Sequence, residues 1–315
     1  MQHRSRRPAS GALRLWSSSV VAACLAASAA QAQEAPKLAW GNGKLLLTGG
    51  VSSIDGAAGG GLTPWAVTAS YATDHQVGAT AHLTRVKTQD YAMTAYGAAI
   101  GIQDRFEFSI ARQDFDTGAT GAALGLPGLH LKQDIFGAKL RIAGDAVVDS
   151  DSLMPQVAVG IEHKKTHAGD LSATLAALGA NTSGTDLYLS ATKLFLAPGI
   201  LVNGTLRATK ANQNGLLGFG GTSHTGYSLQ PEISVAWLVR KNIVIGAEYR
   251  GKPDNLNPSA LGAGLKEDDW ADVFVAWAPS KHLSLTLAYV DLGRIVPAVA
   301  TRRQTGTYLS AQVAF

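Results

Sequence analysis

The chain has 315 residues and a formal net charge of +4. Arg4, Arg6, Arg7 and Arg14 account for that excess: without them the 27 basic residues fall to 23, equal to the 23 acidic ones. A balanced remainder removes the main support for a nucleic-acid partner. The single cysteine, Cys24, excludes a disulfide framework and a thiolate metal site.

Those four arginines precede a stretch of apolar or small residues, 15–29, that Ser17, Ser18 and Ser19 interrupt. It is too short for the roughly 20 residues of a spanning helix, and Ala30-Gln31-Ala32 follows it as a small-x-small cleavage site. Residues 1–32 are therefore read as a removed secretory signal, leaving 33–315 as one domain. Val21-Ala22-Ala23-Cys24 also fits a loose lipobox, in which case Cys24 would be lipidated rather than removed.

The segment 49–61 is glycine-rich. It lacks the Gly-Lys-Ser/Thr ending of a P-loop and the strand–helix setting of a dinucleotide site. Glycine here permits positive φ or close backbone approach, and an external loop is the favoured reading over one folded into a barrel mouth.

From there to the end, two-residue alternation dominates, and no sustained helical stripe is visible. Trp65, Val67, Ala69 and Tyr71 alternate with small residues. Tyr227, Leu229, Pro231, Ile233, Val235, Trp237 and Val239 share one face, opposite Ser228, Gln230, Glu232, Ser234 and Ala236. The last residues place Leu309, Ala311, Val313 and Phe315 together on a strand that stops on an aromatic. Lys193 breaks the apolar face of 185–196, and 91–102 reads in either parity. The alternation predicts about fourteen strands (a range of about 12–16), near 44–52, 64–73, 76–87, 91–102, 105–115, 131–143, 154–164, 185–196, 200–210, 226–239, 243–251, 269–278, 282–292 and 304–315.

Short links at 73–75, 103–104, 197–199, 240–242 and 279–281 alternate with long ones at 53–63, 116–130, 165–184, 211–225, 252–268 and 293–303. Only 88–90 and 144–153 break the rhythm. Sorting of loop lengths by parity is expected of an antiparallel up-and-down transmembrane β-barrel with both termini in the periplasm of a Gram-negative cell. Closure follows from the need to pair every backbone group in hydrocarbon, with the last strand meeting the one near 44–52. Trp65, Tyr71, Trp237, Tyr249, Trp277 and Tyr289 lie near strand ends, as interfacial girdles would.

If the apolar faces point to lipid, the interior carries His82, Glu107, Lys139, Arg141, Glu162, Lys164, Arg207, Glu232, Glu248 and Arg250. Charges of both signs require water or ion pairs. Arg250 is the expected counter-ion for Glu232 and Glu248. The mixture predicts weak ion selectivity. No catalytic, cofactor or metal site is expected: neither G-x-S-x-G nor H-E-x-x-H occurs, and His163 and His167 are flanked by lysines.

Residues 47–65, Leu-Thr-Gly-Gly-Val-Ser-Ser-Ile-Asp-Gly-Ala-Ala-Gly-Gly-Gly-Leu-Thr-Pro-Trp, followed by strands to Phe315, resemble a proteobacterial family of uncharacterised outer-membrane proteins, domain of unknown function 3034. The resemblance implies an outer-membrane barrel and brings no activity. The leading expectation is a passive, porin-like channel for small solutes, embedded in outer-membrane lipid and delivered by the barrel-assembly machinery through the strand ending at Phe315. One alternative is a non-conducting structural or adhesive barrel acting through its loops. Another is a membrane-embedded lipid hydrolase, which needs a serine and a histidine facing outward on adjacent strands.

Overall fold

The computed structural model describes residues 38–147 and 152–315; the expected signal, with Cys24, lies outside them. Twelve antiparallel strands form one closed sheet. In chain order they are β4 (Gln76–Thr88), β5 (Ala92–Ile102), β6 (Phe106–Asp116), β7 (His130–Ala143), β8 (Gln156–His167) and β9 (Ser183–Phe195). There follow β10 (Ile200–Thr209), β11 (Ser228–Arg240), β12 (Ile243–Arg250), β13 (Trp270–Ser280), β14 (Leu283–Asp291) and β15 (Thr305–Ala314). Each pairs with its sequence neighbour, and β15 closes the ring on β4 from Gly306↔Thr88 to Ala314↔Thr80. A two-residue strand, β1 (Ala39–Trp40), lies outside the ring, parallel to the start of β4.

The wall is apolar outside and polar inside. On β11, Ile233, Val235 and Trp237 are exposed while Glu232, Ser234 and Ala236 are buried. This inversion of a soluble core is stable only where the outside meets hydrocarbon. Trp237 and Trp277 sit outward near the short-turn end, and Tyr249 and Tyr289 near the long-loop end. No described helix is long and apolar enough to cross a membrane.

Four expectations need correction, and one segment causes all of them. Residues 47–72 are almost wholly buried and contain a two-residue ladder, β2 (Val51–Ser52) with β3 (Ala58–Gly59), and a single bridge from Gly59 to Pro64. They enter from the short-turn end and fill the barrel. The stretches near 44–52 and 64–73 are therefore not wall strands, and the wall has twelve strands rather than about fourteen. The seam joins Thr305–Ala314 to Gln76–Thr88, not to 44–52. Trp65 and Tyr71 are interior residues, not girdle residues, and the glycine-rich 49–61 is internal rather than an outside loop. The residues of 64–73 alternate in sequence, yet the chain there bends at 66–67 and 69–71 with Ser70 at a φ of 70°, and period alone does not distinguish a wall strand from a segment enclosed by the wall. A barrel of about eight strands is filled by its own side chains, whereas twelve leave space that here takes this plug.

Candidate functional site

The interior is organised by three polar clusters on neighbouring strands, each engaging the plug. Period-two alternation places Glu162, Asp186, Arg207, Glu232 and Arg250 inside, one on each of β8 to β12. Arg207 joins them: its Nη1 lies 2.7 Å from Glu162 and 3.4 Å from Asp186, and its Nε 2.6 Å from Glu232. Lys164 reaches Asp186 at 3.0 Å and Glu162 at 3.4 Å. Arg250 spans Glu232 at 3.3 Å and the plug's Asp55 at 2.8 Å. Lys164 adds a second contact to Asp55 at 3.5 Å. Burial acts to raise the Asp55 carboxyl, but Lys164, Arg250 and Arg207 outweigh it and hold the group well below the ordinary carboxylate range.

The second cluster, Glu107 with Lys139, pairs across β6 and β7 at 3.1 Å. Glu107 accepts the N–H groups of Ala58 at 3.1 Å and Ala69 at 2.7 Å. Lys139 donates to the carbonyls of Ala58 at 2.8 Å and Val67 at 2.9 Å. The third centres on Glu248, which accepts from Leu62 N–H at 2.8 Å, Thr63 at 2.6 Å and Ser234 at 2.8 Å. Gly60 packs directly against it: a Cβ there would stand 2.0 Å from Glu248 Oε1 and push the carboxylate aside. A segment without sheet partners must otherwise leave buried backbone groups unpaired. The inward charges supply those partners.

From the opposite end the loop 210–227 folds down onto the plug. Gln213 and Asn214 adopt φ of 44° and 58°, a conformation uncommon for side-chain-bearing residues and tolerated best by Asn. Asn214 donates to Asp55 at 2.7 Å and accepts from Lys164 at 2.7 Å and Arg250 at 2.8 Å. Above it Lys252 and Glu267 pair at 3.0 Å and bracket Gln213. Burial pushes Glu267 up and Lys252 down from their ordinary values. Between the plug tip and the loops an apolar gap of about 50 Å³ remains, lined by Ile54, Leu62, Phe115, Leu216, Trp270 and Tyr308. That is well below the roughly 150 Å³ that holds a benzene. A vestibule of about 480 Å³ opens at the short-turn mouth, with Lys44, Asp104 and Arg141 beside apolar residues such as Leu45, Val67 and Val147.

All ten residues expected inside point inward, and all but Arg141 are buried. Arg141 is half-buried at the short-turn end, paired with Asp104 at 2.5 Å and Asp145 at 3.1 Å. Arg250 partners Glu232 as expected, but Glu248 is held by hydroxyls and the plug backbone instead. His82 is inward, and neither ring nitrogen has a partner among the described residues. Sequence reasoning missed Asp186, although the parity that selects Glu162 selects it too. It also missed Asp55, Gln213 and Asn214, which lie in segments without periodicity. On the outer wall, His163 Nδ1 lies 3.0 Å from Thr185 Oγ1 on the adjacent strand, a histidine–hydroxyl pair in which His163 meets no carboxylate among the described residues.

A family model for proteins of unknown function (DUF3034) matches residues 48–312. The chain belongs to this family. Its match begins inside the plug, so plug and wall are parts of one unit. No curated relative matches the chain. Among solved structures it is similar to the KdgM porin, at 9% identity and a TM-score of 0.47 over 75% of this chain and 99% of that one. It is similar to the NanC porin, at 8% identity and 0.48 over 75% and 98%, and to outer-membrane phospholipase A from Escherichia coli, at 10% identity and 0.41 over 78% and 94%. The barrel assignment rests on the strand pairing of this chain.

Proposed function

We propose that this family member is an outer-membrane barrel, porin-like in architecture, whose solute path is closed by its own residues 47–72. The observation that carries this reading is the direct capture of plug backbone and Asp55 by Glu107, Lys139, Lys164, Glu248 and Arg250. Ions that would line a passive pore instead form a receptor for the plug. Both termini then lie on the periplasmic side with the short turns, the long loops lie outside, and the strand ending at Phe315 is the assembly signal. Once the plug leaves, both signs of charge line the path, so small solutes would pass with weak ion selectivity.

The test is conductance of the refolded protein in planar bilayers. The full chain should insert and give no steady current, while a variant lacking 47–72 should give steady channels. Steady current from the full chain would overturn closure by the plug. An inserted, folded deletion variant that stays silent would favour the non-conducting structural barrel.

A further inference from the structure

The outer wall is not uniform around the ring. On β10 to β15, most outward positions next to the long-loop end are apolar or aromatic, among them Leu206, Leu229, Tyr249, Val273 and Tyr289, with Thr307 and the Arg303-paired Asp291 as polar exceptions. On β4 to β8 the same levels carry Arg85, Lys87, Arg112, Lys132 and Lys165. Three acids share that face, Asp114, Asp116 and Asp134, and they engage only part of the positive charge. Asp134 holds Arg112 at 2.6 Å and His167 at 2.9 Å. Asp114 holds His130 at 2.5 Å and Lys132 at 3.6 Å. Arg85 donates only to Thr94, at 2.5 Å, and neither it nor Lys87 nor Lys165 has an ion pair among the described residues.

Directly below these cations the wall is concave. A groove of about 480 Å³ runs between Tyr96, Ile110 and Phe136, with Gly97 and Ala98 as its floor and the Arg112–Asp134 pair at its upper rim. Ala98 is the small outward side chain there, while Gly97 pairs with the inward His82 and Ala111 and lends the groove only its backbone. An apolar groove below a cationic rim is the complement of an acyl chain below an anionic headgroup. From Arg85 on β4 to Lys165 on β8 the band crosses four strand spacings, about 19 Å, which is wider than one phosphate.

We propose that the outer face of β4 to β8 binds an anionic membrane lipid whose headgroup bears more than one phosphate. One acyl chain lies in the groove floored by Gly97 and Ala98, and the phosphates lie against Arg85, Lys87 and Lys165. This inference rests on the membrane placement proposed above.

The test is native mass spectrometry of the full-length protein, extracted from phosphatidylcholine vesicles doped with either a diphosphoryl glycolipid or monoanionic phosphatidylglycerol. The wild type should retain the diphosphoryl lipid in preference. At roughly fivefold per charge, the triple variant R85Q/K87Q/K165Q should lose about a hundredfold in affinity. Ala98→Phe, which fills the groove and leaves every cation in place, should also weaken retention. Equal retention by the triple variant, equal retention of phosphatidylglycerol, or loss on R240Q/K241Q at the short-turn end would each overturn the proposal. Protease protection in the same vesicles separates this from failure of the membrane reading: a chain that never inserts sinks the placement, and an inserted chain without lipid preference sinks only the lipid site.

Discussion

The plug and the wall solve the same physical problem in opposite ways. Each wall strand pairs its backbone with its two neighbours, so its side chains are free to sort into an apolar and a polar face. The plug has the ladder Val51↔Gly59 and Ser52↔Ala58, one bridge from Gly59 to Pro64 and a few turn bonds, so much of the rest of its backbone depends on side chains from the wall. Gln156 donates to Ala66 O at 2.8 Å, Gln113 to Ile54 O at 2.9 Å and Arg250 to Leu62 O at 2.9 Å. A polar barrel interior is thus not evidence of a water path. Polar groups inside this barrel are mostly occupied by other side chains and by plug peptide groups of the same chain.

The largest expected effect comes from removing the cation that holds the wall's inner carboxylates. Arg207→Met leaves Glu162, Asp186 and Glu232 short of their shared partner, and breaking a buried network of this kind costs about 3–5 kcal/mol. Urea unfolding in detergent micelles reads this directly. A loss below about 1 kcal/mol would mean that water already solvates these groups, and the contrast between plug and wall would collapse.

A smaller effect, confined to the plug, is expected of Gly60→Ala, whose Cβ would displace the Glu248 carboxylate. Overpacking of this kind costs about 1–3 kcal/mol. Hydrogen exchange should rise across 47–72 while β4 to β15 stay protected. Equal loosening of both regions would show that plug and wall unfold together.

The smallest effect is expected from mild acid. The folded Asp55 value is depressed, so its contribution is complete above the ordinary carboxylate value of about 4 and is lost only as pH falls through the lower folded value. Plug protection should therefore be unchanged between pH 7 and about pH 5. Release within that window would mean that Asp55 is not paired with Lys164 and Arg250.

The strands from Gln76 to Ala314 were legible because hydrocarbon outside and polar groups inside impose a strict two-residue period, and because loop lengths sort by end. The same parity brought His82, Glu107, Lys139, Arg141, Glu162, Lys164, Arg207, Glu232, Glu248 and Arg250 to the inner face. Asp186 was equally legible and was overlooked. Asp55 and Asn214 were not legible, since neither lies in a periodic segment and their meeting joins positions 159 residues apart.

By itself the sequence determined the twelve strands from Gln76 to Ala314, their outward faces and ten of the ionisable groups within, but it also offered 44–52 and 64–73 as wall. Only the tertiary structure decided what those ions hold. Trp65, Val67, Ala69 and Tyr71 alternate as convincingly as Ile233, Val235 and Trp237, yet the first set is interior and the second faces outward. Periodicity records an alternation of residue types, and over 65–71 that alternation lies on a bent chain buried on every side. Whether a segment pairs at an edge or threads the middle depends on long-range contacts, here the carboxylates of Glu107 and Glu248 reaching the backbone of Ala58, Ala69 and Leu62.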